Sequence, residues 1–337
     1  MISASGLAKY FGGKRALGPV SFEIGRGETV GFLGLNGAGK TTTLRILAGD
    51  LRPSAGSLIV NGSDAIRDPI AVRRLVGFLP EQPPLYPDMT VDDYLCFAGR
   101  LRGMAPADVK RRVADVEELI ELKAVRGELI RNLSQGYRQR VGLAQAVIHE
   151  PELLILDEPA HDLDPAQIVE MRTLLGTLRE HHTILVSSHN LPEISQTCDR
   201  LLVLDGGEII ASGSEPELAA RWLDTFRIEV AIRLPNSGSE MESVSDAATL
   251  PPVAAAITAL RSIDGVRGIT ARAQPQEGGA SIHVESGEDR RAEISRTLVE
   301  GGFDVIRLEL SRDELESVFL ELVRGAERAR DRDHPAA

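Results

Sequence analysis

Residues 29–49, "TVGFLGLNGAGKTTTLRILAG", decide the fold. An apolar run (Thr29–Leu33) meets a glycine-rich turn and then a helical pattern that stops at Gly49, so the stretch reads as buried strand, loop and helix. Within it Gly34–Thr41, "GLNGAGKT", has the spacing G-x-x-x-x-G-K-[ST]. Glycines let the backbone wrap until successive N–H groups point inward at an anion, and the following helix adds its positive N-terminal end. Lys40 is placed to reach β- and γ-phosphates, and the Thr41 hydroxyl to ligate Mg²⁺. A glycine turn without a ligand is the alternative, but the strand before and the helix after it supply the context that the phosphate-binding reading requires.

A second stretch, "LLILDEPAHDLDP" (residues 153–165), raises a related question. Four consecutive apolar residues, Leu153–Leu156, suit a strand buried on both faces of a parallel sheet. Ligands of such sheets bind beyond the carboxyl ends of the strands, which puts Asp157 and Glu158 at the edge where the glycine loop sits. Asp157 can hold Mg²⁺ through its water shell, and Glu158 can orient and polarise a hydrolytic water. "TILVSS" ends at the same kind of edge with His189.

The 337 residues are enough for two domains, and 42% hydrophobic with 26% charged residues reads as soluble and globular. A net charge of −12 argues against unassisted binding to nucleic acid or an anionic membrane. The two cysteines, Cys96 and Cys198, lack metal-type spacing and suggest a reducing compartment. No apolar run approaches the ~20 residues that span a bilayer. A cytoplasmic location is expected, with any membrane role exerted through a partner.

Strand, loop and helix signals are dense up to about residue 215. "RLLVLDGGEIIASG" predicts a hairpin around Asp205-Gly206-Gly207, and residues 86–150 predict a helical insert entered through "PEQPPLYPD". After Trp222 the pattern changes. "FRIEVAIRL" alternates, with Phe226, Ile228, Val230, Ile232 and Leu234 on one face. A polar connector (235–250) and a helix carrying Val253, Ile257 and Leu260 follow. Next come strands at "VRGITARA" and "ASIHVES", a helix over 288–300, and the alternating "DVIRLEL". Ser311 and Glu314 have capping-box spacing and open a last helix. The order β-α-β-β-α-β-α is that of a ferredoxin-like sandwich with a closing helix.

"LSQGYRQR" (Leu133–Arg140) lies between the two phosphate-edge motifs. With it the sequence resembles the ATP-binding subunits of ABC transporters, whose signature is LSGGQ-like, over residues 1 to about 215. The expected fold is therefore α/β: a P-loop NTPase of the ABC ATPase type with a parallel core sheet, an antiparallel β subdomain and a helical insert. A small α+β ferredoxin-like module follows. The expected divisions are 1–220 for the ATPase, 221–225 for a linker, 226–323 for the module and 324–337 for a disordered tail. The resemblance implies that Gly34, Asn36, Gly37, Ala38, Gly39, Lys40, Thr41 and Thr42 bind ATP. Phe11, with Tyr10 beside it, stacks on adenine unless it is simply core. It further implies that Gln82 senses Mg²⁺ alongside Thr41 and Asp157, that Glu158 and His189 act on the γ-phosphate region, and that Asp164 makes a dimer contact. Leu133, Ser134, Gln135 and Gly136 would close on the nucleotide of a second copy. Gln135 stands where the family often has Gly, and Tyr137 where it often has Gln.

One full set of motifs resembles one half of a homodimer with two ATP. "LYPDMTVDDYL", "LAQAVIHEPELLILDEP" and "LESVFLELV" look like type 2 exporters, with a separate transmembrane permease and a peripheral place on the inner face of the membrane. An ATP-gated regulator, or a soluble ABC ATPase using the C-terminal module for partner or ligand binding, is the competing expectation. Ala160-His161-Asp162 departs from the family's common Thr-Asn-Gly. Asp tolerates positive φ better than most residues, so it can replace that Gly. His161 is either an Asn-like hydrogen-bonding substitute or, with Asp162, a group that tunes dimer closure.

Overall fold

The computed structural model describes residues 1–190, 194, 196–222, 226–233, 250–274 and 279–310. The chain divides into two compact units, Met1–Glu215 and the residues from Pro216 onward. The first unit runs β1 (Ile2–Phe11), β2 (Lys14–Ile24), β3 (Thr29–Leu33), α1 (Lys40–Leu47), β4 (Ala55–Val60), β5 (Ser63–Asp64), α2 (Pro69–Leu75) and β6 (Val76–Leu79). It continues with α3 (Val91–Leu101), α4 (Pro106–Leu119), α5 (Gln135–Val147), β7 (Leu153–Asp157), α6 (Pro165–Leu178), β8 (Thr183–Ser188), β9 (Arg200–Asp205) and β10 (Glu208–Gly213).

Six strands form a sheet in the order β10-β9-β3-β8-β7-β6. All neighbours are parallel except the β9–β10 hairpin, whose turn holds Gly206 and Gly207 at φ of 56° and 82°. Strands β3, β7 and β8 are buried at every position, as a sheet covered on both faces demands. The second sheet, β2-β1-β4-β5, is antiparallel. Val20, Phe22 and Ile24 alternate inward from β2, and Phe22 meets Phe32 of β3 edge-on with ring centroids 5.7 Å apart. One core therefore joins the two sheets across α1, whose Leu44, Ile46 and Leu47 are buried in it.

The expected helical insert is α3–α5. Thr90 caps α3 by accepting the Asp93 N–H at 3.2 Å, and Ser134 caps α5 by accepting the Tyr137 N–H at 3.4 Å. Pro165 is the first residue of α6, with Met171, Leu174, Leu175 and Leu178 buried.

Helix α7 (Glu215–Trp222) spans the division. The second unit holds β11 (Phe226–Arg233), α8 (Pro251–Arg261), β12 (Val266–Gln274), β13 (Gly279–Ser286), α9 (Arg291–Glu300) and β14 (Val305–Leu310). Its sheet order is β12-β13-β11-β14, antiparallel throughout. Ile228, Val230 and Ile232 pack with Val253, Ala256 and Leu260 of α8 and Ile294 and Leu298 of α9. Helix α9 starts at Arg291, later than the expected 288, because Asp289 Oδ1 accepts the Arg291 N–H at 3.1 Å and holds a turn there. Leu234, the connector up to 249, the closing helix after Ser311 and the tail lie outside the described residues.

His149, just beyond α5, is held against the sheet by donating Nε2–H to the Val76 carbonyl at 3.2 Å. Burial pushes its pKa down to about 4, and the charges of Arg102 and Arg112 add to this. Unfolded, the ring takes a proton near pH 6.5, so the unfolded state binds more protons between about pH 6.5 and 4. Stability is therefore lost as pH falls through that window, by roughly 3 kcal/mol at full extent. In urea titrations across this range, His149→Met is expected to flatten the acid limb, since Arg102 also donates to the Val76 carbonyl at 3.3 Å.

Candidate functional site

The glycine loop leaves β3 through a gap that admits no side chain. A Cβ on Gly34 would lie 2.5 Å from the Leu204 carbonyl oxygen. Gly39, with φ 105°, turns the chain into α1, where a Cβ would meet the Ala16 oxygen at 3.0 Å. The β9–β10 turn braces the loop from behind. Gly207 donates its N–H to the Ala38 carbonyl at 3.0 Å and accepts the Gly18 N–H at 2.7 Å.

Because β8 lies between β3 and β7, the ends of these strands meet beside the loop. Lys40 is 6% exposed; its Nζ donates to the Gly34 carbonyl at 2.6 Å and lies 3.3 Å from Glu158 Oε1. Thr41 Oγ1 donates to Asp157 Oδ1 at 3.3 Å, and Ser187 Oγ donates to the same oxygen at 2.6 Å. Ser187 Oγ also accepts the Glu158 N–H at 2.9 Å, so one hydroxyl fixes both acidic residues. His189 Nδ1 is 2.9 Å from Glu158 Oε2. Glu158 itself has φ 47°, a conformation that a non-glycine residue adopts only when its surroundings enforce it.

Lys40, Thr41, Glu158 and His189 line an open cleft that also takes in Phe11, Asn36, Gly37, Thr42, Glu81 and His161. Phe11 is 52% exposed, which rules out the core reading and leaves a ring face free at the cleft mouth, with Lys9 Nζ 5.1 Å from its centroid. Gln82 is not part of this cleft. It lines an adjoining groove with Thr41, Glu81 and Asp157. Asp162 has φ 60°, the positive value for which an Asp is a tolerable stand-in for Gly. His161 Nε2 lies 3.5 Å from Glu81 Oε1 and 3.4 Å from Asp162 Oδ2, between two carboxylates on the cleft wall.

Leu133, Ser134, Gln135 and Gly136 line neither the cleft nor the adjoining groove. They form the start of α5, with Leu133 buried and Ser134 exposed. Asp164 is exposed at the start of α6, in a capping box with Gln167. Three participants were missed in the sequence: Ser187, Glu81 and the Gly207 brace. Only the serine ending of "TILVSS" offered a signal for any of them.

A phosphate-cradling loop, a histidine just past the end of the adjacent parallel strand and two carboxylates at the end of the strand beyond it make a nucleoside triphosphate site. Comparison with known proteins names the nucleotide. The family profile described as ABC transporter matches residues 17–161. An ABC transporter ATP-binding protein of Bacillus subtilis, YxlF, itself uncharacterised, is 38% identical over 218 residues, covering 65% of this chain and 72% of that one. The chain belongs to the ATP-binding subunits of ABC transporters. The similarity extends into the second unit. The daunorubicin resistance ATP-binding protein DrrA3 of Streptomyces coeruleorubidus is 33% identical over 325 residues, 95% of each chain. Among solved structures, the dimeric structure of MJ0796, a bacterial ABC transporter cassette, has a TM-score of 0.59 and 25% identity. It covers 64% of this chain and 98% of that one. As an ABC ATPase, the chain binds and hydrolyses ATP.

Burial pushes the Asp157 carboxyl above the usual carboxylate range, and the charges of Glu158 and Glu81 add to this against the hydrogen bonds from Ser187 and Thr41. The folded protein thus holds this proton more tightly than the unfolded chain does. The group's favourable contribution is present in acid and is lost as pH rises through the folded pKa. Asp157→Asn is expected to raise the thermal unfolding midpoint of that form at pH 7–8, with the gain shrinking toward pH 4, while ATPase activity is lost.

Proposed function

We infer that this chain is the ATPase of an exporter, working as a homodimer that drives a separate membrane permease. The observation that carries this reading is the placement of Ser134 and Gly136. They lie off the cleft of their own chain, at the N-terminal end of α5, where the helix dipole favours an anion. A second copy related by a two-fold axis would bring them to the first copy's phosphates, making each ATP a bridge between subunits. Asp164 would face the partner beside them. The dimeric cassette MJ0796 and the resistance function in the name of DrrA3 support this assembly and the direction of transport.

Within one site, Phe11 would stack on adenine. Asn36, Gly37, Ala38 and Gly39 would offer backbone N–H groups to the phosphates, with Gly34 giving the loop room and Thr42 at its exit. Lys40 would exchange its bond to the Gly34 carbonyl for the β- and γ-phosphates. Glu158 would orient the attacking water and accept its proton, with His189 steadying the same carboxylate at the γ-phosphate. Thr41, Asp157 and Gln82 form an all-oxygen donor set that fits Mg²⁺, and a cation there would offset the burial that raises the Asp157 carboxyl above its usual range. Bound there, Mg²⁺ would neutralise charge on the phosphates.

For the permease, a groove beside the Gln82 segment carries Ile70, Tyr86, Phe97 and Leu101 at its surface, with Leu101 74% exposed. Tyr86 and Phe97 meet edge-on at 5.5 Å, and Arg73, Arg74 and Arg102 supply a basic rim. An amphipathic element with an apolar face and a carboxylate suits it. Closure at ATP would then move that element through Gln82 and α3. We place the ATPase at 1–220 and a C-terminal module at 226–323, with the chain peripheral on the inner face of the membrane through its permease. Among the described residues, no helix is long and apolar enough to cross a membrane.

The test is affinity purification from membranes co-expressing the neighbouring permease gene. The tagged chain should retain a polytopic membrane protein, and Leu101→Asp should lose it while keeping basal ATPase within about twofold, since that side chain touches no part of the cleft. A chain that captures no membrane protein overturns the exporter reading.

A further inference from the structure

The N-terminal ends of α5 and α6 are joined at two successive turns. At the first, Gly136 faces the Gln167 side chain so closely that an added Cβ would lie 2.8 Å from its Cδ. Gln167 is also the residue that holds Asp164. Its N–H donates to Asp164 Oδ1 at 2.9 Å, and its Oε1 accepts the Asp164 N–H at 3.3 Å. One turn further along both helices, Arg140 donates through Nη2 to Glu170 Oε2 at 2.6 Å. Its other terminal nitrogen, Nη1, donates to Glu121 Oε2 at 2.6 Å and to the Ile120 carbonyl at 3.2 Å, pinning the end of α4. Arg140 is 8% exposed, whereas the Glu170 side chain is 56% exposed. A buried guanidinium is thus held by two carboxylates, one on α6 and one in the turn that follows α4, a directional arrangement.

We propose that Arg140 is a positioning residue that locks the signature segment 133–136 to Asp164, so that the two move as one body when ATP is bound. This rests on the homodimer reading above. Its consequence is thermodynamic. If Ser134 closes on one ATP while Asp164, carried by the same body, faces the partner, occupation of one site biases the other. Binding at the two sites is then cooperative, with a Hill coefficient that approaches the number of sites. Without the lock, each signature segment settles on its nucleotide independently.

Glu170→Ala tests this without leaving a bare buried charge, because Arg140 keeps Glu121 and the Ile120 carbonyl. The readouts are the Hill coefficient of Mg-ATPase activity, the affinity for a fluorescent ATP analogue at monomeric dilution, and ATP-induced dimerisation in a Glu158→Gln background. The parent should show a Hill coefficient approaching 2. Glu170→Ala should lower it toward 1 and raise the ATP concentration for half-dimerisation about tenfold, with monomer affinity unchanged within about twofold. Glu170→Asp should restore part of the cooperativity, and Glu121→Ala, which spares the α5–α6 contact, should leave it intact. Parent-like cooperativity in Glu170→Ala overturns the lock while leaving the dimer reading standing. A Glu158→Gln chain that stays monomeric with ATP overturns both.

Discussion

The ion pair between Lys40 and Glu158 is the constraint around which the first unit is organised. Its two members come from opposite halves of the site: one from the start of the helix after the glycine loop, the other from the end of β7, two strands away in the sheet. Each side chain is at most 11% exposed, and they stand 3.3 Å apart. Neither charge could sit there alone without a desolvation cost of several kcal/mol. The β3-β8-β7 register brings them together, and the backbone of Glu158 adopts a positive φ to do so. On the proposed function, a triphosphate entering the cleft would take over the lysine and leave the glutamate facing a water.

Asp157 shows the cost of that arrangement. Its burial, compounded by two neighbouring carboxylates, makes the nucleotide-free site electrostatically unfavourable, and Ser187 and Thr41 offset only part of it. A site that destabilises its empty form gains most from a ligand that brings cations with it. This is the usual exchange of stability for function.

Much of this was legible in the sequence because the signals were local. The glycine spacing, the apolar runs ahead of Asp157 and His189, and the Gly206–Gly207 turn each fix their own geometry within a few residues. What escaped was long-range. Ser187 is the last residue but one of β8, with nothing in the sequence to distinguish it from Ser188, yet pairing with β7 makes it the hydroxyl that holds both acidic residues. Gly207 reads as a hairpin residue and acts as a brace for Ala38, 169 positions earlier in the chain, a contact that the β9–β3 pairing creates. Arg140 looked like the tail of a signature, and its link to Glu170 depends on how α5 and α6 pack. Periodicity reports the face that a residue occupies, but the residue opposite it is decided by topology.

In the second unit, alternation alone gave the strands, and Ile228, Val230 and Ile232 do point into the core. The start of α9 differed because Asp289 competes for the helix's first N–H, an effect that hydrophobic pattern does not see.

The account turns on Glu158 as the group that activates water and on Lys40 as the group that binds phosphate, and the two can be separated. Isothermal titration with MgATP and a phosphate-release assay on Glu158→Gln should find ATP affinity within a few-fold of the parent and turnover reduced at least ~100-fold, the loss expected when a general base is removed. Turnover close to the parent's, with binding intact, would contradict the central role of this carboxylate.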